Sequence, residues 1–202
     1  IPVILFSPED LKIVKSGPSE RRKFLDIELS QMERLYLYQL TNYNKILVQR
    51  NNLLKQIRFQ NNLIETLEAW DIQLVKYGSE VIKYREKFIK HLGEVCQKIH
   101  NKLTGGKEKI LLEYDRDVGY DSYLTELAKK RQKDLKYSTT TVGPHRDDIS
   151  FIVNGIDIRK YGSQGQQRTA ALSLKLAQIQ LMREVMKESP ILLLDDVLSE
   201  LD

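Results

Sequence analysis

Ser163-Gln164-Gly165-Gln166-Gln167-Arg168 and, further on, Ile191-Leu192-Leu193-Leu194-Asp195-Asp196 with Ser199-Glu200-Leu201-Asp202 are the stretches on which the reading of this chain turns. The first opens a helix: Ser163 stands where a cap is needed, Gln166 three positions on completes a capping box, and Leu172, Leu176, Ile179 and Val185 follow on the apolar side. A helix N-terminus with glycine in its first turn offers unpaired N–H groups and the positive end of the dipole, which suits an anion such as a phosphate. The second stretch is a four-residue apolar strand ending in two carboxylates. At the carboxyl edge of such a strand Asp195 can hold a divalent cation directly or through water. Asp196 beside it can orient an attacking water or accept its proton. Singly, each stretch has a plain reading as a capped helix or a polar turn after a core strand. Their order, with Ser189-Pro190 stopping the helix between them, favours the joint one. A phosphate-cradling loop of the form G-x-x-x-x-G-K-[ST] occurs nowhere in the chain.

The remaining composition fits helical surfaces rather than one large core. Aromatic residues make up 8% of the 202 residues and charged ones 30%, and the net charge of +4 permits a nucleic-acid partner without announcing one. Cys96 is the single cysteine, which rules out an intrachain disulfide and suits a reducing compartment. No segment reads as a membrane span or a signal peptide, so a cytoplasmic location is expected. The chain opens at Ile1-Pro2 and stops at Asp202 inside a motif, as expected of part of a longer protein.

Upstream, Pro2 to Phe6 reads as a short buried strand, and Ser7-Pro8-Glu9-Asp10 as a capped helix start broken at Gly17-Pro18. Leu25, Leu29, Met32, Tyr36, Leu40, Tyr43 and Leu47 recur at steps of three and four, with a gap at Arg50 before Leu54 and Ile57. After a turn near Gln60-Asn61-Asn62, a cleaner heptad stripe runs from Leu63 through Leu67, Leu74, Val81, Phe88 and Val95 to Ile99. Two helices of roughly forty residues, each about 60 Å long, would form an antiparallel arm. Thr104-Gly105-Gly106-Lys107 reads as the loop ending that arm, since it lacks the rest of a phosphate loop. Next come a strand at 109–114, a helix at about 122–135, and a hairpin turning at Asn154-Gly155 between strands at 149–153 and 156–158. His145 and Arg146 are read as structural, their loop held through Asp147 or Asp148, and His91 and His100 as surface residues of the arm. With no Cys/His cluster, zinc is not expected. Arg21-Arg22-Lys23 and Lys129-Lys130-Arg131 are read first as solvated faces and second as contacts for DNA phosphates.

Motifs spread over the whole chain resemble those of the RecF family, which belongs with the SMC-like ABC ATPases. They are Leu5 to Leu11, Ser19 to Asp26, Gly143-Pro144-His145-Arg146-Asp147-Asp148, Ser163 to Arg168 as the signature segment, and Leu193 to Asp202 as Walker B strand and D-loop. The resemblance implies an α/β, mostly helical fold, in which a long antiparallel helical arm joins the signature-bearing lobe of an ABC-type ATPase head. Residues 1–17 would connect to the head, 18–104 form the arm, and 105–202 form the signature and Walker B lobe. It implies ATP and Mg²⁺ as cofactors, with Asp195 on the metal and Asp196 as catalytic acid. Ser163, Gln164, Gly165 and Gln166 would reach nucleotide held by a partner subunit, and Ser199 and Asp202 would line the seam of an ATP-dependent homodimer. The implied function is DNA replication and recombinational repair, within the SOS response to DNA damage: binding gapped or junction DNA and, with mediators such as RecR, helping to load recombinase. Two departures from the general ABC pattern, Gln164 for the first signature glycine and Asp196 where Glu is usual, imply slow hydrolysis with ATP acting as a clamp. Lacking the P-loop lobe, this polypeptide alone is expected to be inactive. Alternative readings are the nucleotide-binding subunit of an ABC transporter, another SMC-like ATPase, and a purely structural coiled coil.

Overall fold

Apolar periodicity carries most of the chain into helix, as seen in a computed structural model that describes residues 3–6, 12–187, 189 and 191–194. In order these are β1 (Val3–Phe6), α1 (Lys12–Lys15), α2 (Pro18–Met32), α3 (Arg34–Ile57), a 3-10 turn (Asn61–Thr66), α4 (Leu67–Leu103), β2 (Ile110–Asp115) and α5 (Tyr123–Tyr137). A second 3-10 turn (Pro144–Arg146), β3 (Asp148–Val153), β4 (Ile156–Asp157), α6 (Ile158–Tyr161), α7 (Gln164–Met186) and β5 (Ile191–Leu194) complete it. The fold is thus α/β and mostly helical. The expected helix start at Ser7 and Pro8 lies outside the described residues.

The described residues fall into two compact units. One takes those of 1–32, 87–115 and 148–202, the other 33–86 and 116–147.

In the first unit β1 and β5 pair in parallel, Val3 opposite Ile191, while β2, β3 and β4 form an antiparallel sheet with Ile110 opposite Val153 and Asp115 opposite Asp148. Asn154 and Gly155 turn the hairpin with φ of 49° and 82°, as a two-residue loop matched to strand twist requires. The strand expected to run to Ile158 ends at Asp157, whose carboxylate accepts from the Arg159 backbone N–H and caps α6. Gly93 of α4 passes over β2, where an added Cβ would stand 3.5 Å from that of Leu112. Arg21, expected on a solvated face, is buried: its guanidinium binds both oxygens of Asp148, which also receives Arg159 at 2.7 Å. Cys96 is buried too, and burial pushes its thiol up to about 12, so it stays a neutral packing residue.

In the second unit α3 runs antiparallel to residues 67–86 of α4. Tyr36 meets Tyr84 at 5.9 Å between ring centroids, Tyr38 meets Tyr77 at 6.4 Å, and Arg50 reaches Asp71. The first long helix of the expected arm is in fact two: Glu33 adopts extended backbone (φ −132°, ψ 102°) between α2 and α3. Neither Gly nor Pro marks that break, and it coincides with the boundary between the units. The gap in the apolar stripe at Arg50 is filled by Arg50 itself, fully buried among Asp71, Asp134 and Thr140. Leu53, Leu54, Ile57 and Leu67 form the core there, with Trp70 and Leu135 packed against it.

The loop from 138 to 147 is held from several sides, with His145 among the residues that hold it and Arg146 exposed. His145 bonds the Tyr43 hydroxyl through Nδ1 (2.6 Å) and the Thr140 carbonyl through Nε2 (3.0 Å). Asp147 is buried against Arg85 and accepts the Asp117 N–H, and Asp117 in turn accepts the Gly143 N–H. Gly143 sits at φ 135°, where only glycine is unstrained, and an added Cβ would lie 2.1 Å from the Tyr123 hydroxyl. Gly143→Ala is therefore expected to cost about 1–3 kcal/mol from the backbone alone, before any shift of the tyrosine. A urea midpoint unchanged by this substitution would show that the loop has other conformations available.

Candidate functional site

The N-terminus of α7 is built as its sequence predicts. Ser163 (φ −64°, ψ 160°) accepts the Gln166 backbone N–H at its hydroxyl (3.1 Å), and the Gln166 side-chain oxygen accepts the Ser163 N–H (3.1 Å). This reciprocal pair is the capping box, and it satisfies two of the backbone groups that a helix start leaves open. The Ser163 hydroxyl accepts in that bond, so its own proton remains available to donate. Ser163, Gln164 and Gly165 are exposed, and an added Cβ on Gly165 would meet only the Ser163 oxygen at 3.9 Å, so a ligand can approach the backbone closely. As first-turn positions, Gln164 and Gly165 have no intrahelical acceptor for their N–H groups. A hydroxyl donor, two open amides and the positive helix end together fit a phosphate-bearing ligand. The capping box and the anion-site reading are compatible, because they use different hydrogens of the same turn.

The turn is anchored from behind by Glu108, His100 and Ser173, none of which the sequence marked as part of the site. Gln166 Nε2 donates to Glu108 Oε1 (3.0 Å), and Glu108 Oε2 lies 3.2 Å from His100 Nε2. His100 Nδ1 lies 2.9 Å from the Ser173 hydroxyl, on the next turns of α7. His100 was expected at the surface and is instead fully buried, because the apolar stripe of α4 brings position 100 under α7. Burial lowers its pKa, against the raising effect of Glu108, so the imidazole is held neutral near pH 7. One ring nitrogen thus faces the Glu108 carboxylate and the other the Ser173 hydroxyl. Sequence offered no signal for this string, since its partners lie 58 and 73 positions apart. His91, by contrast, is half-exposed as expected.

Asp195, Asp196, Ser199 and Asp202, assigned from sequence to the metal, the catalytic acid and the dimer seam, lie outside the described residues. The strand leading to them, β5, is in place beside β1. Among the described residues no cluster of three or more His, Cys, Asp or Glu side chains could hold a metal ion. Nor is any helix among them long and apolar enough to cross a membrane.

No protein-family model matches the chain. Among curated proteins it is 57% identical over 202 residues to the DNA replication and repair protein RecF of Lachnoclostridium phytofermentans, covering 100% of this chain and 56% of that protein. It is 56% identical over 200 residues to the same-named protein of Agathobacter rectalis, covering 99% of this chain and 55% of the relative. Of solved structures, that of the recombination mediator protein RecF with ATP superposes with a TM-score of 0.95 at 41% identity, over 99% of this chain and 56% of that one. The chain therefore spans about half the length of the relatives it matches.

Proposed function

Because the chain belongs to the RecF family, we propose that it supplies the signature half of an ATP-operated DNA-repair protein, in which two subunits close on nucleotide. The observation that carries this reading is the exposed turn from Ser163 to Gly165, which presents a hydroxyl proton and two open amides and holds no phosphate loop of its own. A donor edge of that kind suits nucleotide cradled by another lobe. Ser163, Gln164, Gly165 and Gln166 would then complete the site across a homodimer seam, to which Ser199 and Asp202 also contribute.

ATP would bring the triphosphate and Mg²⁺ the charge neutralisation, with Asp195 as the residue that holds the metal and Asp196 as the acid that orients water. An aspartate is one methylene shorter than the usual glutamate, so turnover is slow and the closed dimer long-lived. The closed dimer would bind gapped or junction DNA and, with mediator proteins such as RecR, help load recombinase, in the cytoplasm and within the SOS response. The relatedness to DNA replication and repair proteins supports this over a transporter subunit or a structural coiled coil. In the same reading α2, α3 and α4 serve as the arm and the elements from β2 onward as the signature lobe.

The reading is tested on the 202-residue chain itself. With Mg²⁺ and radiolabelled ATP it should release no phosphate above a protein-free control. Phosphate release that scales with chain concentration and survives further purification would mean that the signature turn is not half of a shared site.

A further inference from the structure

The Gln166 side chain is used at both ends. Its oxygen closes the capping box on the Ser163 N–H, and its nitrogen is tied to Glu108, which is tied in turn to buried His100 and through it to Ser173. Ser173 donates back to the Thr169 carbonyl (2.6 Å), and Thr169 to the Gly165 carbonyl (3.0 Å). The string leaves the first turn of α7, crosses the segment after α4, passes through α4 and re-enters α7 lower down. An ordinary cap needs only its own helix, so this one is held by two further pieces of chain.

We infer that Glu108 and His100 are positioning residues for the signature turn: through the Gln166 amide they fix the direction in which Ser163 presents its hydroxyl. The inference rests on the reading of Ser163 as a donor to nucleotide held by a partner subunit. Glu108 is suited to the task because it is mostly covered yet remains at the edge of the turn, with a side chain 22% exposed. Its charge strengthens the bond from Gln166. His100, wholly enclosed, sets one ring nitrogen against Glu108 and the other against Ser173.

The decisive variant is Gln166→Glu. The introduced carboxylate can still accept the Ser163 N–H, and negative charge in a first turn ordinarily favours a helix. If Glu108 were a bystander, the turn would be unharmed or firmer. If Glu108 holds Gln166, two carboxylates now face each other and the turn loosens. Adding Glu108→Gln restores a donor and an acceptor with their roles exchanged, and the new amide oxygen can still accept from His100.

Full-length protein is the material for both readouts: hydrogen–deuterium exchange of the Gln166 and Gln167 amides, which bond Ser163, and ATP-driven dimerisation. Exchange should rise roughly tenfold or more in Gln166→Glu and in Glu108→Ala, and return toward the parent in Gln166→Glu/Glu108→Gln. Dimerisation should weaken in the same two variants and recover in the swap, while ATP binding by the P-loop lobe stays unchanged. Exchange that is unchanged in Gln166→Glu overturns the inference, whatever the dimers do. Exchange that moves while dimerisation does not would make the string a helix anchor without a part in the site, and overturns it too. A parent that fails to dimerise on ATP overturns the shared-site reading, and the inference falls with it.

Discussion

Arg50→Met is expected to destabilise the unit built on α3, α5 and residues 67–86 of α4 by about 3–5 kcal/mol, the usual effect of leaving buried charge without its partner. Arg50 is fully enclosed, and it binds Asp71 Oδ1 at 2.7 Å, Asp134 Oδ2 at 2.8 Å and the Thr140 hydroxyl at 2.8 Å. Methionine fills much of the same volume but leaves two carboxylates facing each other out of water. Asp71 keeps Arg131 as a partner, and Asp134 keeps the Thr141 N–H and hydroxyl, so the loss is partial rather than total. The measurement has a built-in reporter: Trp70, the single tryptophan, packs on the core beside this cluster. Its urea transition should move to lower denaturant in Arg50→Met and recover in part when Asp71→Asn and Asp134→Asn are added, because the stranded charges are then gone. A Trp70 transition that stays where it was in Arg50→Met would mean that the ion cluster does not stabilise this unit.

The same cluster shows how far the sequence could be read. Of the apolar stripes read for α3 and α4, Tyr36, Tyr43, Leu54, Leu67, Leu74, Val81, Phe88 and Val95 are buried, while Leu40, Leu47, Leu63 and Ile99 are partly so. Period alone identifies them, because each position is decided by its neighbours three and four residues away. Arg50, Asp71, Arg85 and His100 occupy the same faces and are buried as well, yet their residue types argue for water. Their partners come from α3, α4, α5 and α7 and from the loops after α4 and α5, and only the folded chain brings those within reach. Asn154-Gly155 and the Ser163–Gln166 box were legible for the opposite reason, since turn and cap chemistry act within four residues. The break at Glu33 carried no such local mark. The candidate site was legible in one half: the geometry of Ser163 to Gln166 is as the motif predicts, whereas its anchor through Glu108 and His100 is a product of tertiary structure.

Ser163→Arg is expected to abolish ATP-driven dimerisation of the full-length protein while leaving ATP binding intact. Serine here accepts the Gln166 N–H and keeps a proton to donate across the seam. Arginine cannot accept the Gln166 N–H, and although it can donate, its side chain is far too large for a turn that a triphosphate must approach closely. The loss of one helix cap costs only about 1 kcal/mol, so the subunit remains folded and the effect falls on association. Light scattering of parent and Ser163→Arg proteins, each with and without ATP and Mg²⁺, tests the shared-site account most directly. The account predicts a doubling of mass on ATP for the parent and none for the variant, at equal ATP occupancy; dimerisation of both to the same extent, or of neither, would contradict it.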